Sequence, residues 1–330
     1  MIWPISFFLI FFNTVFAQEI VPSYGEFFHF DGKDISEYQP QIPPFISVTT
    51  KHGPLYVKVG KYEYEANHKV WSSHWFPYYE KELFETEDSP LAKYDTYARK
   101  RGYQSKARDY EKNKVYNERA SDWEGLCNAW AMAAIMFPEP KKAVKLYNIH
   151  FEVRDLKALL LKSLELETGD QFFGQRNNAE WDSLYADVYP DQFHRFIQVE
   201  GFEKKNPFVM DYDAGYQVWN VPVYKVKSII KEVEGNSEVL DVKTYVYYAS
   251  PFIFEDNFVG IETEMKIYEY DLHGQWEGDH FRVNYGLWKD SSKWDHPDYL
   301  IPRPKRSPKR VSRNKEIKPN IIDEILRYSY

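Results

Sequence analysis

One cysteine, Cys127, is present in 330 residues, so no disulfide can form within the chain. A chain of this length can bury enough apolar surface to fold without such staples. After the first 17 residues no apolar run approaches the roughly 20 residues a membrane helix needs, which excludes a later membrane span. An excess of basic residues is also missing: the formal net charge is −8, which argues against general nucleic-acid binding. No Asn-x-Ser/Thr acceptor occurs, which favours a bacterial over a eukaryotic exported chain. There is no internal repeat, no low-complexity tract and no loop with the ligand spacing of an EF-hand.

The N-terminus carries an apolar run, Ile5 to Phe12, followed by Val15-Phe16-Ala17. This reads as a signal peptide over residues 1–17, cleaved after Ala17, and hence as a secreted or periplasmic protein without a membrane anchor. The n-region lacks Lys and Arg, so an uncleaved anchor is the competing reading. Residues 18–70 read as an N-terminal extension packed on the core, extended and rich in Pro and aromatics as far as residue 50. The Leu55–Val59 and Lys61–Tyr64 segments alternate around Gly60, the pattern of a hairpin. Residues 71–302 read as the catalytic domain. Residues 303–330 form a basic strap, with Arg303, Lys305, Arg306, Lys309, Arg310, Arg313, Lys315 and Lys318 against one acid, then a short helix over 321–328. The strap is expected to pack on the acidic body, with contact to an anionic surface as the alternative.

Between these ends, the charged, Tyr-bearing residues 80–120 suit surface helices. An Ala-rich apolar run after Cys127 predicts a buried helix that stops near Phe137, before Pro138-Glu139-Pro140. Leu156, Leu159, Leu160 and Leu164 predict a second helix opened by Asp155. Strands are expected at 193–199, 207–211, 216–219, 242–248 and 264–270. Helices first and strands later give an α+β class with a mainly antiparallel sheet.

The chemistry centres on Cys127. A thiol at a helix N-terminus meets the positive end of the macrodipole and free backbone N–H groups, both of which favour a thiolate nucleophile. Such a nucleophile needs an imidazole base and a group that orients it. His194 lies on an expected strand and Asp211 ends the next one, so pairing of the two would set Asp211 beside His194. Asp213 is an equal candidate for the acid, and His150 is the competing base. A nucleophile helix packed on a sheet that carries these partners is a papain-like, cysteine-protease-type core. The backbone N–H of Cys127 is the natural first oxyanion donor, with the indoles of Trp75 and Trp123 as candidates for the second.

Several motifs carry a family resemblance. Trp123-Glu-Gly-Leu-Cys127-Asn-Ala-Trp130-Ala resembles the nucleophile motif of the transglutaminase elicitor family. Val218-Trp-Asn-Val-Pro-Val-Tyr-Lys-Val226 resembles the surface segment that plants recognise in the oomycete members. Pro90-Leu-Ala-Lys-Tyr-Asp95, Asp155-Leu-Lys-Ala-Leu-Leu160, Tyr268-Glu-Tyr-Asp-Leu272, Trp288 and His296-Pro-Asp-Tyr-Leu300 extend the match over most of the chain. Val221 stands where the family usually has Gln, and the segment after Pro222 is shorter, so the plant-recognition role is not transferred. Asn128 stands where the family has His or Gly, a departure that bears on rate and acyl-acceptor choice. The resemblance implies a secreted protein-glutamine γ-glutamyltransferase with Cys127 as nucleophile, His194 as base and Asp211 as orienting acid. Its partners would be proteins or peptides with exposed Gln and amine or Lys acyl acceptors. No cofactor is required by the sequence; calcium dependence is implied by the family, with no site placed. The alternatives are a cysteine hydrolase on the same triad, either a peptidase or a glutamine deamidase, and a non-catalytic secreted binding protein.

Overall fold

The computed structural model describes residues 52–169, 172–174, 188–212, 215 and 217–330. The leader, most of the N-terminal extension and Asp213 lie outside the described residues. The helices are α1 (Pro90–Lys100), α2 (Ala107–Tyr110), α3 (Cys127–Met136), α4 (Val153–Ser163), α5 (Pro190–Phe196) and α6 (Pro319–Leu326). The strands are β1 (Tyr56–Val57), β2 (Gly60–Glu65), β3 (Val144–Leu146), β4 (Ile149–Phe151), β5 (Phe173–Gly174), β6 (Phe208–Asp211), β7 (Asn220–Val233), β8 (Asn236–Ala249), β9 (Thr263–Glu277), β10 (His280–Trp288) and β11 (Tyr299–Pro302). None of the helices among the described residues is long and apolar enough to cross a membrane.

Helix α3 is apolar on nearly all sides and buried accordingly, as a core helix must be. It stops at Phe137, whose backbone is extended ahead of Pro138. The Leu-striped helix α4 begins slightly earlier than Asp155. Glu152 is its N-cap, and Asp155 closes a reciprocal capping box with it.

One antiparallel sheet organises the rest, in the order β1-β10-β9-β8-β7-β6-β11-β5, with β2 also on β7. The sheet is curled. The Tyr268 hydroxyl of β9 donates to the Tyr212 carbonyl just after β6, at 2.6 Å, although two strands lie between them in the ladder. A register irregularity between Val223 and Lys225 lies on the bent strand β7. Strands β7 and β8 are joined through Glu234-Gly235, where Gly235 has φ +77°, a conformation that favours glycine.

Three expected elements differ. Residues 217–219 of the strand expected at 216–219 are not in a strand, and β7 begins only at Asn220. Residues 55–64 do not form a hairpin: β1 pairs with β10 and β2 pairs with β7, because the long strands offer both segments more hydrogen-bonding edge than they offer each other. Residues 193–199 are not a strand but the end of α5 and the start of a wide π turn over Ile197–Glu203. Pro190 sits in the first turn of α5, where its missing N–H costs nothing. Phe193, Phe196 and Ile197, spaced i, i+3 and i+4, are all buried on that side. The alternation in the sequence and the helical spacing coexist, and burial of the three apolar side chains selects the helix. The hairpin that would have paired His194 with Asp211 is therefore not formed.

Candidate active site

The loop before α3 is fitted to a narrow space. The Leu126 N–H donates to the Trp75 carbonyl at 2.6 Å. A Cβ on Gly125 would fall 2.8 Å from that same carbonyl oxygen, so glycine is needed by close approach. On the far side, the Asn128 amide donates to the Glu167 carbonyl at 2.6 Å. These contacts bracket Cys127, whose thiol is buried and lies 3.6 Å from the Val218 carbonyl.

Opposite the thiol is a row of three paired residues. Tyr299 of β11 pairs with Asp211 of β6, and Asp211 pairs with Asn220 of β7. Directly paired residues of an antiparallel ladder point to the same face, and neighbours along a strand point to opposite faces. Tyr299, Asp211 and Asn220 thus share a face. Helix α3 covers that face: a Cβ on Gly169 would lie 2.7 Å from Ile301 Cγ2, two residues along from Tyr299, and 3.7 Å from Met132 Cε.

The electrostatics follow from this packing. Burial pushes the Cys127 thiol up to about 11, and the Asp211 carboxylate adds to the rise. The backbone N–H groups of Asn220, Asn128 and Cys127 itself act in the other direction, as donors to a thiolate. Asp211 is fully buried and accepts the Trp219 N–H at 2.9 Å. The Asn220 side chain hydrogen-bonds the Tyr299 hydroxyl, while burial, Asp211 and Cys127 all hold that phenol well above its ordinary range.

The structure brings Cys127 and Asp211 together and places His194 elsewhere. Met210, one residue before Asp211, points to the opposite face, where its sulfur is 3.9 Å from the Tyr268 hydroxyl. Tyr270, two residues along β9, shares that face, and its hydroxyl is 2.6 Å from His194 Nδ1. A chain of buried hydroxyls continues through Thr244 and Ser228, each link 2.9 Å. The sheet therefore lies between His194 and Cys127. Burial lowers the imidazole to about 4. His150, the competing base, sits half-exposed on β4 beside Glu152 at 2.8 Å. The Trp75 indole N–H is committed to the Asp122 carbonyl at 3.0 Å, and Trp123 is buried in the core.

Asn220 and Tyr299 are site residues that sequence reasoning quoted within motifs but gave no role. Their meeting depends on the registers of β7 and β11 with the β6 strand between them, and the pairing of β6 with the distant β11 has no local signature.

Outside the thiol, aromatic rings form a wall. Trp75 packs on Trp219 at 5.8 Å, and Trp219 packs on Phe252 at 5.2 Å. Phe252 is 38 % and Phe254 73 % exposed.

The transglutaminase elicitor family matches residues 85–269, more than half of the chain. The chain belongs to the transglutaminase elicitor family. Among solved structures, the crystal structure of the GP42 transglutaminase from Phytophthora sojae is similar, with a TM-score of 0.57 and 20 % identity over 81 % of this chain and 91 % of that one. At that identity the likeness is one of fold. No curated protein matches.

Calcium dependence, implied by the family, was tested against the donors present. Among the described residues the group suited to a metal is His74, Glu80 and Glu82, with ligand atoms within 4.8 Å of one another. Calcium takes six to eight oxygen ligands. This group offers one nitrogen and two carboxylates, and Arg154 already pairs with Glu82. It does not fit calcium.

Proposed function

We propose that this family member is an exported protein-glutamine γ-glutamyltransferase with a papain-related core, acting through a Cys127 thioester. One observation carries the reading: the lone cysteine opens a buried helix with three backbone N–H groups on its sulfur and the Asp211 carboxylate in its field. The first supply the anion stabilisation a thiolate needs, and the second supplies a proton acceptor. Export rests on the apolar leader Met1–Ala17.

In this reading Asp211 takes the thiol proton as sulfur attacks the Gln carboxamide carbon. The tetrahedral intermediate collapses, the C–N bond breaks, and Asp211 returns the proton to the leaving nitrogen, which departs as ammonia. An amine, Lys in a protein acceptor, then attacks the thioester and loses its proton to Asp211. The new amide C–N bond forms, the C–S bond breaks, and the proton goes back to sulfur. The aromatic wall formed by Trp75, Trp219 and Phe252 keeps water from resolving the thioester in place of the amine.

The test is hydroxamate formation from a blocked Gln dipeptide and hydroxylamine. The wild type is expected to form hydroxamate and Cys127→Ala none, with the melting temperature unchanged within a few degrees. Ammonia without hydroxamate makes the protein a deamidase. Asp211→Asn should lower kcat at least a hundredfold, while His194→Ala should act mainly on stability. The reverse order, with both variants folded, would restore His194 as the base.

A non-catalytic role has one observation in its favour: burial raises the Cys127 thiol instead of lowering it. Iodoacetamide labelling of the native protein separates the two readings. Labelling only after denaturation would leave Cys127 an inert core residue.

A further inference from the structure

We propose that the Tyr299 hydroxyl is the second oxyanion donor of the Cys127 site. This rests on the acyl-transfer reading above. An oxyanion hole needs two donors aimed at the same point, and the N–H of Cys127 at the start of α3 supplies one. The indole N–H of Trp75, which adjoins the nucleophile loop, is spent on the Asp122 carbonyl. Tyr299 offers a hydroxyl donor in the row facing the thiol: it pairs with Asp211, shares its face, and lies in the electrostatic field of Cys127.

Three features suit the hydroxyl to this role. The ring is buried, 4 % exposed, so its position is set by packing. The Asn220 side chain, on the same face through its pairing with Asp211, favours charge on the phenol oxygen, which is the effect of a donor beside that oxygen. Burial and the neighbouring Asp211 and Asp298 carboxylates keep the phenol proton in place throughout the working pH range. Tyr299 therefore donates a hydrogen bond and transfers no proton. As the C–S bond forms, the carbonyl π pair moves to oxygen and is met by the Cys127 N–H and the Tyr299 O–H. On collapse the pair re-forms the carbonyl, the C–N bond breaks, and the proton that ammonia carries away comes from Asp211.

The experiment compares two reactions of Cys127 in the full chain. Hydroxamate formation passes through an oxyanion; alkylation by iodoacetamide, a displacement at a saturated carbon, does not. Tyr299→Phe keeps the ring and its packing. It should lower kcat for hydroxamate formation roughly a hundredfold or more, with KM and the alkylation rate within about twofold of wild type. Equal losses in both reactions would show that Tyr299 sets the thiol and not the oxyanion. An unchanged kcat would remove it from catalysis. Either result overturns the proposal. Hydroxamate formation by Cys127→Ala, or none by the wild type, would instead overturn the acyl-transfer reading and this proposal with it. Should Tyr299→Phe fail to fold, Asn220→Ala, which removes the amide that orients the hydroxyl, must give the same split of rates.

Discussion

His194 shows how much a single side chain depends on which face of a sheet it meets. By residue type and order in the chain it suits a base for Cys127. Its actual neighbours are Tyr270 and the hydroxyls of Thr244 and Ser228, deep in an uncharged layer. Burial there lowers its pKa from 6.5 to about 4. The consequence is a pH-dependent stability. Below pH 6.5 the unfolded chain takes up a proton that the folded chain refuses until about pH 4. Stability contributed by the neutral ring is thus present above pH 6.5 and lost as pH falls through this window. The loss amounts to about 3 kcal/mol at the lower end. Urea titrations at pH 7 and pH 4.5 should show this fall in the wild type and a shallower one in His194→Gln. Equal falls in both proteins would assign the acid sensitivity to other groups.

At the scale of elements, Cys127 is positioned by the loop before α3 as much as by the helix. The close approach of Gly125 to the Trp75 carbonyl leaves no room for a Cβ, and that carbonyl also receives the Leu126 N–H. Gly125→Ala should push the loop away by a few tenths of an ångström and carry Cys127 with it. The expected result is a loss of about 1–3 kcal/mol in stability and at least a tenfold loss in hydroxamate formation. A variant with wild-type kcat would show that the loop yields without moving the thiol. The elements also show what local sequence can encode. The Leu-striped helix and strands β8 and β9 are legible from their own periodicity, and the Cys127 helix and β6 from continuous apolar runs bounded by Pro or turn residues. The stretch 193–199 is not, because two periodicities overlap there and only the layer packed against it chooses between them.

Across the whole molecule, the C-terminal strap packs against the segment that follows α4. Arg306 pairs with Glu167 at 2.8 Å, and Lys309 donates its backbone N–H to the same carboxylate. Glu165, fully buried, accepts Lys162, the Ser312 hydroxyl, the Arg313 N–H and the Tyr78 hydroxyl. Beyond it, Ile321, Ile322, Ile325 and Leu326 of α6 are buried in the core. Lys162 has no exposed surface and is held by Glu165 and Glu111, each at 2.8 Å. Glu165→Ala leaves that ammonium with half its compensation and cuts the strap loose. The expected cost is about 3–5 kcal/mol, read from urea melts. A cost under 1 kcal/mol would mean that the strap is held by α6 alone.

The sequence by itself determined the lone thiol, the buried helix it opens, the α+β class and the family, because each of these is written in local spacing or in short motifs. Asp211 is reached from the sequence only through a hairpin with His194 that does not form, with Asp213 an equal candidate, so its position near Cys127 belongs to the tertiary structure as well. Only the tertiary structure decided which groups face Cys127. Whether a side chain points to one face of a sheet or the other turns on a one-residue register, and the register of β6 with β7 and β11 joins segments far apart in the chain. That register sets Tyr299 and Asn220 beside Asp211 and leaves His194 behind the sheet.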